Sequence, residues 1–405
     1  MTALVVLLLL AAPNPDKLIA EYFTADGGRR IAILGELDAD KELTAEEVAT
    51  WKERILKQAR KSGKKLRKGG TNYFYDKKKK RGKYIVTGGN GRGGLVIALH
   101  GGGEGQGDAG GAASTFGGIA SKFKCVCIAP EVLEKTERGW TTSGTEEFVL
   151  ELIEAAKRTW KVPHDRVYIV GHSMGGFGSW TLGAHHADLF AGAAPYAGGP
   201  VPITEGGAKY GKVTGLQTGV IPSLRNLPLH IYQSLDDKNV PPDANVFANK
   251  MLIEWKKDYG GYNYKYVEVD GRGHGAPPGG HVVGFKWIYQ FKRDSRPKHI
   301  LWQPVLSYKR MFYWIHWQTP MPETLVEMKV IGPNKISMDI EGHEKTGFRI
   351  YLDSELVDLD KEVTVVEADE VVFKGKVKRT LKTMLMTAAV KYDSDNIFPA
   401  QIDFK

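Results

Sequence analysis

Short apolar runs alternate with stretches of helical period through the middle of this chain. That alternation restricts the fold more than any other feature. The runs are Leu95–Leu99 (LVIAL), Cys125–Ala129 (CVCIA), Val167–Val170 and Leu229–Tyr232. Helical patterns lie between them at Thr145–Trp160, Met174–His186 and Ala244–Tyr259. A strand apolar on both faces needs cover on both faces, and crossover helices supply it. The expected fold class is therefore α/β, a mostly parallel sheet with helices on both faces, spanning residues 83–297. Sites in such sheets gather beyond the carboxyl ends of the strands.

The flanking regions read differently. Period-two stretches take over after residue 297, at Met311–Trp317, Leu325–Val330, Ile336–Ile340, Phe348–Leu352, Val363–Val366 and Val371–Val377. One short helical pattern follows near Leu381–Val390. Residues 298–405 thus predict a small β-sandwich-like C-terminal domain. Residues 13–82 are charged and helix-prone: Val48, Trp51, Ile55, Leu56 and Ala59 recur near the helical period, and Thr44 with Glu47 forms a capping box. Lys61 to Arg81 is rich in Lys and Gly and reads as a linker. Residues 1–12 contain the all-apolar run Ala3–Ala12. It is too short to span a bilayer and is expected to be a secretory signal segment, although it lacks a charged start. A buried N-terminal strand is the other reading. Secretion or a periplasmic location follows from this run alone, and a cytoplasmic location is the alternative.

The charge is local. The 405 residues carry a net +9, yet Lys52 to Lys83 holds fifteen Lys and Arg against Glu53 and Asp76. The catalytic-looking region is not basic, so no nucleic-acid partner is expected, and the plain reading of the basic segment is a solvated helix face and turn. The two cysteines, Cys125 and Cys127, stand in a C-x-C pair inside an apolar run. Their side chains project in parallel from a strand, which excludes a disulfide scaffold and a cysteine zinc site. In the acidic loop before residue 48, Glu36, Asp38, Asp40 and Glu47 fall at calcium-loop positions, but Lys41 occupies the position that needs Gly. Asp38, Asp40 and Glu47 are a weak calcium site on this reading, and no other metal and no organic cofactor is expected.

Chemistry concentrates in Gly171-His172-Ser173-Met174-Gly175-Gly176, which leaves the strand Val167–Val170 and opens a helix. A G-x-S-x-G in that context holds its serine in a strained turn, with the hydroxyl exposed above the sheet. His100-Gly101-Gly102-Gly103 follows the strand Leu95–Leu99, and a backbone N–H from Gly101 or Gly102 can pair with that of Met174 as an oxyanion hole. A serine nucleophile needs a base and an orienting carboxylate, in the chain order Ser, acid, His. Asp237, four residues or so past its strand, is preferred to Asp236. His274 in Gly271-Arg272-Gly273-His274-Gly275 is the base, with His281 as the fallback. The His172 side chain is expected to point away from the catalytic face, and His100 to be structural. Trp140 and Tyr196 are the candidate substrate contacts, Trp140 being equally readable as a loop anchor. Phe177 and Trp180 read as core. Pro200 to Asn226 reads as a rim, and the glycine-dense Gly101–Gly118 as mobile.

The segments LVIALHGGGEG, EEFVLELIEAAKRTW, DRVYIVGHSMGGFGSW, DDKNVPP and GRGHG resemble the α/β-hydrolase family. The resemblance is to its esterase-like branch of feruloyl and acetylxylan esterases, polyhydroxybutyrate depolymerases and prolyl oligopeptidase catalytic domains, over roughly residues 83–295. It implies a serine esterase cleaving a small-molecule or polymer-linked ester through Ser173, His274 and Asp237, without metal or organic cofactor. A serine peptidase and a polyester depolymerase are alternatives. So is a carbohydrate- or protein-binding module, in which aromatic residues such as Trp314 and Trp317 contact a sugar.

Overall fold

A computed structural model describes residues 14–207, 211–342 and 345–404. The expected signal segment, 1–12, lies outside the described residues. Among the described residues two compact units form: 14–63 with Lys378–Ala400, and Lys64–Val377 with 401–404.

The first unit is helical. It consists of α1 (Pro15–Tyr22), α2 (Gly27–Glu36), α3 (Ala45–Ser62) and, from the far end of the chain, α9 (Leu381–Val390). Leu18, Ile19, Ile33 and Ile55 share a core with Met384 and Leu385. The capping box forms at α3: Glu47 N donates to Thr44 Oγ1 at 3.2 Å and Thr44 N donates to Glu47 Oε2 at 2.8 Å. That use of Glu47 overturns the calcium reading. Asp40 pairs with Lys382 and Glu36 with Arg29, so these carboxylates are committed elsewhere. Among the described residues no cluster of three or more His, Cys, Asp or Glu could hold a metal ion.

An eight-stranded sheet organises the second unit, in the order β1-β2-β4-β3-β5-β6-β9-β10. Its strands are β1 (Gly70–Asp76), β2 (Lys79–Gly88), β3 (Gly94–Leu99), β4 (Cys125–Pro130), β5 (Val167–His172), β6 (Gly192–Tyr196), β9 (Leu229–Ser234) and β10 (Tyr264–Val269). A small hairpin, β7 (Pro202–Thr204) with β8 (Val213–Leu216), stands apart from it. From β4 through β10 the strands run parallel, and only β1 and β2 are antiparallel to their neighbours. Cover comes from α4 (Ala109–Lys122) and α8 (His281–Tyr289), which bury Phe116, Phe285 and Ile288 with Val96, Tyr168 and Val170. On the other face α6 (Met174–His185) lies so close that a Cβ at Gly178 would come 2.6 Å from Trp140 and 2.8 Å from Leu99. The remaining helices are α5 (Thr145–Trp160) and α7 (Asp243–Tyr259).

Several expectations change. The supposed linker, Lys61–Arg81, contains β1 and the start of β2, and β2 joins the main sheet through β4. Asn72, Phe74, Tyr84 and Val86 turn inward while the cations occupy outward positions, so overall composition masked the alternation. Half of the stretch expected to be mobile, Gly101–Gly118, is the start of α4. Residues 298–377 fall within the second unit. They build a five-stranded sheet of β11 (His299–Trp302), β14 (Val326–Gly332), β15 (Lys335–Ile340), β17 (Val363–Glu367) and β18 (Glu370–Gly375). A four-stranded sheet holds β12 (Met311–Phe312), β13 (Ile315–Trp317), β16 (Phe348–Leu352) and β19 (Ala400–Asp403). Trp314 and Trp317 are buried, and Trp314 Nε1 donates to Pro297 O at 2.8 Å, so neither offers a sugar platform.

Candidate active site

The tight connection between β5 and α6 puts Ser173 at φ 63° and ψ −125°. A non-glycine residue pays for that conformation, and it persists because its surroundings leave no other path. A Cβ at Gly171 would come 2.2 Å from Gly175 O, and one at Gly175 would come 2.2 Å from Leu99 O. Both positions therefore require glycine. Ser173 N donates to Tyr196 O at 2.9 Å, fixing the turn to β6.

Ser173 and His274 line one cleft of about 590 Å³, together with Gly102, Met174, Phe177 and Arg138. Asp237 stands behind His274, with its carboxylate fully buried. Its Oδ1 accepts from the N–H of Asn239 and of Val240, both at 2.9 Å, and its Oδ2 faces His274 Nδ1 at 2.8 Å. Behind the acid, Gln233 Nε2 lies 3.5 Å from Oδ2; Gln233 is held by Asn245 at 2.7 Å, and Asn245 by the Trp180 indole at 3.1 Å. The neighbouring Asp236 has a different task. Its Oδ1 accepts from Ser234 Oγ at 2.6 Å, Gly273 N at 2.9 Å and Arg272 N at 3.2 Å. Those bonds, the Ser234 hydroxyl first, hold its carboxyl below the usual range and tie down the loop that carries His274.

The backbone at Gly101 and Gly102 is fixed by His100. Val132 N donates to its Nε2 at 3.2 Å, so the ring proton sits on Nδ1, which donates to Gly101 O at 2.8 Å. In a planar peptide, pinning that carbonyl aims the Gly102 N–H the opposite way. The Gly101 backbone passes over the serine: a Cβ there would lie 3.8 Å from Ser173 Oγ. Met174 opens α6, where the first-turn N–H groups lack intrahelical acceptors. Burial lowers the His100 pKa, which keeps the ring neutral.

His172 does not point away from the catalytic face. Its ring stands edge-on to His274 with centroids 5.0 Å apart, and its Nε2 lies 3.1 Å from His274 O. A carbonyl only accepts, so His172 Nε2 carries the proton and Nδ1 accepts from His281 Nε2 at 3.2 Å. Burial lowers the pKa of His172, and it pushes His281 down to about 4. His281, the fallback base, thus opens α8 and serves His172 instead. No local signal in the sequence announces this chain, because its members are separated by a hundred residues.

Neither expected substrate contact lies in the cleft. Trp140 is fully buried, its Nε1 donating to His100 O at 3.2 Å, and is the loop anchor. Tyr196 is fully buried and donates to His281 O at 2.8 Å. Phe177, expected in the core, lines the cleft instead, as do Pro200 and Pro202 from the expected rim. Phe177 falls four residues after the nucleophile on α6, one helical turn along, which is the signal that could have placed it.

Residues 118–295 match a family described as putative esterase. This segment is similar to the esterase family of α/β-hydrolases. The esterase-family match contains Ser173, Asp237 and His274 and stops short of His100–Gly103. A curated relative, the poly(3-hydroxyalkanoate) depolymerase C of Paucimonas lemoignei, is 30% identical over 129 residues, which cover 29% of this chain and 31% of that protein. The chain therefore spans about a third of the length of that relative. Among solved structures, acetyl xylan esterase from Aspergillus awamori is 14% identical with a TM-score of 0.39, covering 55% of this chain and all of that one. A phospholipase/carboxylesterase from Dyadobacter fermentans is 19% identical with a TM-score of 0.34, covering 51% of this chain and 94% of that one.

Proposed function

We propose that the chain is a serine hydrolase of carboxylic esters, with Ser173, His274 and Asp237 as its triad. One observation carries this reading: a serine in a strained elbow shares a cleft with a histidine whose far nitrogen meets a buried carboxylate 2.8 Å away. Ser173 Oγ attacks the ester carbonyl while His274 Nε2 takes its proton. Asp237 keeps the His274 proton on Nδ1 and stabilises the imidazolium. The N–H groups of Met174 and Gly102 receive the developing oxyanion, a contribution of about 10²–10³ in rate per donor. His274 then protonates the leaving alcohol, and water opens the acyl-enzyme by the same steps reversed.

A set of p-nitrophenyl esters from acetyl to dodecanoyl tests the reading, with Ser173→Ala as control. Turnover in the parent and its loss in the variant support it. Turnover that survives Ser173→Ala overturns it, and cleavage of peptide amides at a comparable rate would favour a peptidase. Polyester hydrolysis is the second reading, favoured by the identity to the depolymerase, and release of hydroxyacids from a polyhydroxyalkanoate suspension checks it. Export belongs to the same proposal. It rests on the apolar run Ala3–Ala12, and fractionation of expressing cells tests it.

A further inference from the structure

The basic segment has a definite place on the sheet. Tyr84 of β2 stands opposite Pro130, the last residue of β4, and β2 runs antiparallel to β4. Residues of β2 before Tyr84 therefore extend past the carboxyl ends of the parallel strands. So do the residues of β1 after Asn72, which pairs with Tyr84. The lysine-rich tip of this hairpin overhangs the same edge of the sheet as the loops bearing Ser173, Asp237 and His274. At about 4.8 Å per strand, β1 lies roughly 19 Å and β2 roughly 14 Å from β5.

A groove of about 530 Å³ runs between the outer part of β1 and the preceding segment, lined by Lys64, Lys65, Arg67, Tyr73, Tyr75 and Lys77. Its walls are anchored. Leu66 N donates to Thr159 Oγ1 at 2.8 Å, and Lys64 Nζ donates to Tyr75 O at 3.0 Å and meets Asp76 at 3.3 Å. Among the described residues no carboxylate pairs with Lys65, Arg67, Lys77, Lys78 or Lys79. Tyr75 is 50% exposed and its ring has no aromatic or cationic neighbour among them, while Lys80 caps the neighbouring Tyr73 ring at 3.5 Å. Exposed cations without carboxylate partners, beside an open aromatic ring, match a ligand that carries repeated negative charges on rings that can stack.

We propose that this groove docks an acidic polysaccharide, a chain of uronate sugars bearing acyl esters, and presents one of those esters to Ser173. The choice of an esterified polymer and the delivery step rest on the serine-esterase reading; the binding of an acidic polysaccharide is measured apart from it. Nucleic acid would satisfy the charge, but it carries phosphodiesters rather than the acyl esters such a triad opens. The unpaired cations are also mostly lysines, whereas arginine supplies the planar fork that suits phosphate and base edges.

The full chain carrying Ser173→Ala, which leaves esters intact, is titrated with polygalacturonate, neutral mannan and single-stranded oligothymidylate at 50 and 200 mM salt. The docking predicts binding of polygalacturonate about tenfold or more tighter than of the other two, weakening as salt rises. Lys65→Glu with Lys77→Glu should reduce that binding at least about tenfold, and Tyr75→Ala several-fold, since ring stacking adds to charge. The same substitutions with Ser173 intact should leave p-nitrophenyl acetate turnover unchanged. Oligothymidylate binding as tightly as polygalacturonate, or binding untouched by either set of substitutions, overturns the proposal. Failure of the esterase reading would show separately, as no nitrophenyl ester turnover in a chain that still binds polygalacturonate.

Discussion

Asp237→Asn offers the sharpest test of the triad, because the structure dictates which way the new amide turns. Two backbone N–H groups, from Asn239 and Val240, converge on Asp237 Oδ1 at 2.9 Å each. Only an oxygen can accept both, so the amide oxygen takes that place. Its NH₂ then faces His274 Nδ1, where Oδ2 stood at 2.8 Å. An NH₂ there requires Nδ1 to accept, which moves the ring proton to Nε2 and removes the base facing Ser173. In a serine protease the equivalent wrong tautomer costs about 10⁴ in kcat, equivalent to roughly 5.5 kcal/mol. The adjacent Asp236→Asn is the control. Its Oδ1 accepts three bonds that an amide oxygen can keep, so the loop stays in place. Initial rates on p-nitrophenyl acetate, with circular dichroism to confirm folding, should show a loss of about 10⁴ for Asp237→Asn and less than about tenfold for Asp236→Asn. Equal losses in the two variants, or an Asp237→Asn within tenfold of the parent, would refute the reasoning.

Two further predictions follow from the histidines. His172→Phe deletes the donor to His274 O, and kcat on p-nitrophenyl acetate should fall about tenfold with KM unchanged, the worth of one hydrogen bond; an unchanged kcat would mean that His172 does not brace the base. Burial pushes His230, His281 and His316 down to about 4 in the fold, against an ordinary value of 6.5. The unfolded chain therefore binds more protons than the folded one between those values, and stability must fall as pH falls from about 6.5 to about 4. Melting temperatures across that range should drop steadily, with a shallower slope in His230→Phe; a flat profile would contradict it.

Much of this arrangement could be read from one-dimensional patterns where burial is complete. The helix Thr145–Trp160 and the helix Leu381–Val390 have the bounds their periodicity suggests, and the runs LVIAL and CVCIA lie in buried strands. The elbow was legible because Gly171 and Gly175 are required by backbone approach, which leaves glycine as a residue-level mark. Edge structure was not legible. In β1 the inward Asn72 and Phe74 alternate with outward Thr71, Tyr73 and Tyr75, and the cations of the turn and of β2 concealed the period. Contacts that span the sequence were also hidden. Tyr196 sits at a strand end on the catalytic side, yet its ring stacks on Phe116 and meets His281 in the core rather than the cleft. The partners of α9 lie at the opposite end of the chain, so its period revealed a helix but not what it packs against.

The position of β10 at the margin of the main sheet has a consequence for how the protein loses activity. Ser173 hangs from β5, which is flanked on both sides by β3 and β6, whereas the strand leading to His274 is paired on one side only, with β9. Local opening starts where backbone pairing is one-sided and burial is partial, and most of β10 is only partly buried. If β10 peels away, the chain keeps its strained serine and its core and loses His274, the base of the proposed triad. Inactivation by heat or denaturant then reports the release of this outer strand, ahead of the collapse of the interior that spectroscopy records.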